Sequence, residues 1–179
     1  MIKKISIFIW ETIKIVIISL AIIIPVRYYL VQPFFVRGAS MTPNFDNGQY
    51  LVVDEISYRF GEPEREEVIV FKYPLDPSQY YIKRIVGLPG ETVEIKNGQV
   101  IIYSQNHPNG MALDESSYLT DEAITWGETK IELTQDEYFV LGDNRQASSD
   151  SRQWGGLAEK HIIGRVWLRA WPFSLAKIY

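Results

Sequence analysis

Cysteine does not occur in these 179 residues. That excludes a disulfide scaffold, a thiolate zinc site and a cysteine nucleophile, without fixing a compartment. Histidine occurs twice, as His107 and His161, too rarely for most histidine-based metal sites. No long basic run is present and the formal net charge is −4, so nucleic-acid binding has little electrostatic support. Internal repeats of about 20–50 residues and low-complexity segments are also missing, which leaves repeat architectures without support. With 46% hydrophobic and 22% charged residues, most of the chain should fold. Its length suits one globular domain, or a small domain plus an anchor.

A long apolar run stands near the front. Residues 13–30 read IKIVIISLAIIIPVRYYL. As a helix this run is about 27 Å long, close to a hydrocarbon core of about 30 Å. Lys14 and Arg27 lie towards its ends, where basic side chains snorkel, and Tyr28 and Tyr29 suit an interfacial aromatic belt. We expect a single transmembrane helix over 13–31, preceded by a cytoplasmic or approach segment, 1–12. Lys3, Lys4 and Lys14 outweigh Glu11, so the positive-inside rule puts the N-terminus in the cytoplasm and 32–179 outside. A cleaved signal peptide would have a shorter apolar stretch ending at small residues, whereas Pro25-Val26-Arg27 follows here.

Beyond the run, short apolar stretches alternate with Gly, Pro, Asn and Asp. The stretches 34–36, 50–53, 68–71, 80–86, 92–95, 100–103, 138–141 and 164–171 are rich in β-branched and aromatic residues and predict strands. Asn97-Gly98 predicts a hairpin turn between two of them. With no comparable amphipathic helix, the expected fold is a mainly antiparallel β domain. Residues 104–134 are polar and acidic with weak periodicity, and predict a small inserted cap.

Three clusters could carry chemistry. In Gly38-Ala39-Ser40-Met41-Thr42-Pro43 a serine follows a predicted strand, with small residues before it that let another backbone approach. By residue type alone it reads as an ordinary loop serine. A nucleophilic serine needs a base. His107 lies in a polar turn and His161 near a strand start, and neither has the surroundings of a triad. Lysine is the other option. In Tyr80-Tyr81-Ile82-Lys83-Arg84-Ile85-Val86, two cations sit among large apolar residues, so one of them should be poorly hydrated. A free lysine has a pKa of about 10.4, and lowering it by about 3 units takes roughly 4 kcal/mol, within reach of burial. A lysine that blunts an edge strand fits the same pattern. The third cluster, from Gly142-Asp143-Asn144-Arg145 through Ser148 to Asp150-Ser151-Arg152, reads either as a solvated turn or as a hydrogen-bonded loop supporting an amine.

Together the clusters resemble the type I signal peptidases, which carry them in this order after an N-terminal span. The ending Arg169-Ala170-Trp171-Pro172-Phe173 is also typical, and the resemblance runs from about Glu11 to Phe173. It implies the β fold shared with self-cleaving SOS-repressor proteases. It implies Ser40 as nucleophile, Lys83 as general base, and Ser148 as a hydrogen-bond partner that aims the amine. Asp150 with Arg152, and Asp143 with Arg84, would be supporting ion pairs. Val36, Met41, Phe45, Tyr81 and Ile82 would line shallow pockets for small residues of an Ala-X-Ala-like site. The substrates would be preprotein signal peptides cut at the plasma membrane, with lipid and the secretion translocon close by and no metal or organic cofactor. The single span and short insertion resemble Gram-positive members. Three departures stand out: Asn44 where many members have threonine, Gly38 where some have an oxyanion-holding serine, and Glu66-Glu67 where Gly-Asp is usual. Two related alternatives have different outcomes, namely a self-cleaving repressor and a non-catalytic assembly factor for surface structures. The first carries a DNA-binding front in place of the apolar run, and the second has lost the Ser/Lys pair.

Overall fold

The computed structural model describes residues 2–29, 31–120 and 123–179. Leu30, near the end of the expected span, and Asp121 and Glu122, inside the expected cap, lie outside the described residues. So do the side chains of Lys3, Lys4, Arg27, Tyr28 and Tyr29.

Helix α1 (Ile2–Tyr29) opens the chain. Its window Ile7–Ile24 has a mean hydropathy of 2.4 and is wholly exposed. A helix apolar on all sides and uncovered by protein is long and apolar enough to cross a membrane. The helix has no break at residue 13, where an approach segment was expected to give way to the span. Glu11 and Lys14, the charges that interrupt the run, pair with each other at 3.3 Å, so the apolar window reaches back to Ile7.

Twelve strands follow among the described residues: β1 (Val31–Phe35), β2 (Tyr50–Asp54), β3 (Val68–Tyr73), β4 (Asp76–Gly87), β5 (Thr92–Lys96), β6 (Gln99–Tyr103), β7 (Met111–Ala112), β8 (Thr129–Glu132), β9 (Glu137–Leu141), β10 (Leu157–Ala158), β11 (Ile162–Trp171) and β12 (Lys177–Ile178). One short helix, α2 (Ser151–Trp154), precedes β10. The larger sheet has the order β1-β2-β11-β3-β4-β9-β10 with β12 beside β11, and the smaller is β7-β6-β5-β8. All eight predicted strands are present, and the pairings are antiparallel.

The unbroken apolar run 68–71 has a simple cause. Val68 and Val70 enter one core with Val36, Met41, Phe45 and Leu51, while Ile69 and Phe71 enter another with Ile85, Tyr138 and Val140. A strand covered on both faces has no need of polar alternation. β4 does the same next door, with Ile85 in the second core and Val86 in a third, beneath the smaller sheet. Asn97 (φ 53) and Gly98 (φ 80) form the two-residue turn of the β5–β6 hairpin, where Lys96 faces Gln99. Within 104–134, β7 and β8 pair with β6 and β5, so the segment widens that hairpin into a sheet.

Two open strand edges lie near the serine loop. β1 ends the larger sheet, so its outer edge is unpaired. β4 pairs with β3 from Arg84 back to Asp76, but with β9 only at Arg84, Ile85 and Gly87. Along 78–83 the second edge of β4 therefore has no strand partner.

Glu66 departs from the resemblance in a way that bears on stability. It lies at φ 70, a left-handed conformation, held by its N–H on Ile85 O (2.9 Å) and its carbonyl on Arg84 Nη1 (2.7 Å). A residue with a Cβ there costs about 1 kcal/mol or more. Glu66→Gly should raise the thermal midpoint of the full chain in detergent by about 2–4 °C per kcal/mol recovered. A lower or unchanged midpoint contradicts this reading.

Candidate active site

Ser40 sits in the loop that leaves β1. The base of that loop is closed by Val36 N–H on Gln49 O (2.9 Å) and Gly48 N–H on Val36 O (3.0 Å). Gly38 adopts φ 93, and its N–H donates to Asn47 Oδ1 at 3.0 Å. A Cβ at Gly38 would meet nothing within 4 Å, so the conformation requires glycine and the close approach expected there is absent. Close approach does occur at Gly142, where a Cβ would collide with Ser148 Oγ and the Ser40 carbonyl. The loop after β9 holds the serine loop through Asn144. Its N–H donates to Ser40 O (3.0 Å), and its Nδ2 donates to Ala39 O and Thr42 Oγ1 (both 3.0 Å).

Lys83 reaches this serine from β4. Its Nζ lies 2.9 Å from Ser40 Oγ and donates to Ile82 O at 2.8 Å. The residue is only 3% exposed. Burial lowers its pKa from 10.5 to about 8, against the opposing pull of Asp150 and Asp143. Both carboxylates are committed elsewhere. Asp143 takes a two-pronged bond from Arg84 (Nε 2.8 Å, Nη2 2.7 Å), and Asp150 takes one from Arg152 (both 2.8 Å). Both cations of the Lys-Arg pair are thus buried, where one was expected, because Arg84 brings its own counter-ion. Asp150 also caps α2 and accepts Gly142 N–H at 3.1 Å.

Two expected contacts are not made in this structure. Ser148 Oγ is buried at the site but makes no hydrogen bond, to Lys83 or to any other described group. Besides Ser40 Oγ, the amine's hydrogen-bond partner is the Ile82 carbonyl. Met41 and Phe45 were expected to line pockets, but they lie 1% and 0% exposed in the core beneath. The turn that bonds Phe45 N–H to Met41 O (2.8 Å) aims both side chains inwards.

Val36, Tyr81 and Ile82 line, together with Ser40 and Lys83, a cleft of about 720 Å³. Its walls are β1 with the start of the serine loop, and residues 78–83 of β4. His107 and His161 lie away from it. Sequence reasoning missed the ties to 104–134. Asn44 Nδ2 bridges Asp143 Oδ2 (2.9 Å) and Tyr118 O (2.7 Å). Arg145 binds Glu115 (2.5 and 3.0 Å), Thr125 Oγ1 and Gly142 O. The departure at Asn44 therefore has a local use: its amide spans two acceptors, which a threonine hydroxyl with one proton cannot do.

Residues 9–171 match the family model described as "Signal peptidase, peptidase S26". The chain is 36% identical over 172 residues to signal peptidase I of Leptolyngbya laminosa, covering 92% of this chain and 80% of that protein. It is 31% identical over 168 residues to signal peptidase IB of Staphylococcus aureus, covering 88% and 86%. A crystal structure of a signal peptidase I from Enterococcus faecalis V583 aligns with a TM-score of 0.48 and 29% identity, over 59% of this chain and 97% of that one.

A lysine with a depressed pKa in the folded state leaves a signature in stability. Between the folded value of about 8 and the unfolded value of about 10.4, the unfolded chain binds more protons, so stability rises with pH. Comparing the full chain with Lys83→Met by denaturant unfolding at pH 7.5 and 10.5, the native protein should gain about 3 kcal/mol more than the variant. Equal gains would show that the amine titrates normally.

Proposed function

We propose a Ser40–Lys83 mechanism for this chain, which belongs to the signal peptidase family, peptidase S26, and is a serine endopeptidase that removes signal peptides from preproteins. The observation that carries the mechanism is the 2.9 Å separation of a buried amine from a serine hydroxyl, both lining a cleft.

The neutral Lys83 amine accepts the Ser40 proton as Oγ attacks the scissile carbonyl carbon. The Ser40 N–H has no hydrogen-bond acceptor among the described residues and serves as an oxyanion donor, which suits a chain with Gly38 in place of a helping serine. Collapse of the tetrahedral intermediate breaks the C–N bond, and the leaving amine takes the proton held by Lys83. Water then attacks the acyl-enzyme ester, giving a proton to the same amine; the bond from the carbonyl carbon to Oγ breaks, Oγ takes that proton back, and the signal peptide leaves with its new carboxyl group. Arg84–Asp143 and Arg152–Asp150 take no part in proton transfer. They hold the lysine strand and the late loop in register.

Binding follows from the two unpaired strand edges that flank the cleft. An extended peptide laid between β1 and residues 78–83 of β4 finds backbone donors and acceptors on both sides. Val36, Tyr81 and Ile82 form the walls that admit alanine-sized residues before the cut, and Met41 and Phe45 fill the space behind and keep the pockets shallow. Helix α1 anchors the protein in the plasma membrane with its N-terminus in the cytoplasm and the β domain outside, beside the lipid and the secretion translocon that deliver substrate. Confining enzyme and signal peptide to one plane raises their effective concentration. An assembly factor without catalysis would have no use for a desolvated amine aimed at a hydroxyl.

Cleavage of a labelled preprotein by the full chain in detergent tests the mechanism. Ser40→Ala and Lys83→Ala should each lose at least about a thousandfold in rate. The native rate should rise with pH through about 8 as the amine deprotonates. Cleavage retained by either variant, or an acidic optimum, contradicts the mechanism.

A further inference from the structure

We propose that Tyr179, packed beneath the serine loop together with Arg169, is a positioning residue for the reaction. Through Phe45 it fixes the turn that follows Ser40 and keeps the hydroxyl beside the Lys83 amine. The proposal rests on the Ser40–Lys83 reading of the site.

Ser40 stands between two grips. The late loop holds one side, where Asn144 bonds Ala39 O, Ser40 O and Thr42 Oγ1. On the other side Met41, the residue after the nucleophile, accepts Phe45 N–H at 2.8 Å and closes a turn. The Phe45 ring is 0% exposed, so the turn is as firm as the seat of that ring. Part of the seat is the core of Val36, Met41 and Leu51. Another part is Tyr179, whose ring centroid lies 4.8 Å from that of Phe45 at 34°. Arg169 joins them. Its guanidinium carbon is 6.0 Å from the Phe45 centroid and 5.8 Å from that of Tyr179. Its Nη1 donates to Asn44 O at 2.8 Å, inside the same turn, and its Nε donates to Leu175 O at 2.7 Å.

Tyr179 is itself held in place. β12 pairs with β11 at Ile178–Leu168 and Lys177–Arg169, and Tyr179 N–H continues the ladder by donating to Trp167 O at 2.9 Å. Lys177 Nζ lies 5.0 Å from the centroid of the ring. The ring therefore covers Phe45 from a paired strand and not from a loose end. Without it Phe45 gains room on that side and meets water. That freedom passes through the Met41–Phe45 bond to the residue next to the nucleophile. Proton transfer depends on the 2.9 Å contact between Ser40 Oγ and Lys83 Nζ, and a misplacement of about 1 Å can cost about a hundredfold in rate. Tyr179 and Arg169 line no part of the cleft, so they act on the reacting groups and leave the substrate walls alone.

Preprotein cleavage by the full chain in detergent, well below the thermal midpoint of each variant, tests this. Tyr179→Ala should lose about tenfold in kcat with KM within about twofold of native. Its rate should still rise with pH through about 8, because Lys83 stays buried. Tyr179→Phe, which keeps the ring, should retain the native kcat. Arg169→Gln should lose a similar factor, and the double variant little more than either single one, because both act on the same turn. A role in folding alone would lower the thermal midpoint and leave the kcat of the folded enzyme native. That result overturns the proposal, as do a loss confined to KM, equal losses in Tyr179→Phe and Tyr179→Ala, or losses that multiply in the double variant. Failure of the underlying mechanism would show separately, as cleavage by Lys83→Ala.

Discussion

Water is almost excluded from the Lys83 amine, and this exclusion sets the terms for its surroundings. A protonated lysine in that place would be stabilised by any free carboxylate within a few ångströms, and two carboxylates are close enough to act on it. Each is matched by an arginine, Asp143 by Arg84 and Asp150 by Arg152, so the attraction left over for the amine is smaller than the cost of burial. The ion pairs thus do two things at once. They satisfy buried charges that would otherwise be costly, and they leave the base able to lose its proton near neutral pH. At pH 7 a group titrating at about 8 is neutral in about one molecule in ten, against well under one in a thousand for a free lysine.

A base is useful only if the hydroxyl stays beside it, and the serine loop is held by contacts distant in sequence. Asn144 grips the backbone at Ala39 and Ser40, Asn44 ties the same loop to Asp143, and Arg169 Nη1 donates to Asn44 O at 2.8 Å. Arg145 extends the network into the smaller sheet's connections through Glu115 and Thr125. The segment 104–134, polar and featureless as sequence, therefore braces the loop that carries the late cluster.

Much of this was legible from the chain alone. The strands announced themselves through β-branched runs, and the hairpin through Asn97-Gly98, because local backbone preferences and burial agree there. Ser40 and Lys83 were found as a pair only because three modest motifs occur together in a fixed order. Neither residue is distinctive alone, and a separation of 43 positions in sequence hides a contact of 2.9 Å. What sequence could not supply was side-chain direction in irregular segments. Met41 and Phe45 follow the nucleophile closely enough to be read as pocket walls, yet a single turn rotates them into the core. Ser148 comes to the site without bonding the amine. Partners such as Glu115 for Arg145 have no local signal, since a glutamate in a polar loop looks like any solvated residue.

The central claim is that the Lys83 amine titrates far below a normal lysine. Its 13Cε resonance, followed by NMR in the lysine-labelled full chain in detergent and assigned by its loss in Lys83→Arg, measures this directly. The account predicts a midpoint near 8. A midpoint near 10.4, the value of a freely hydrated lysine, would contradict it.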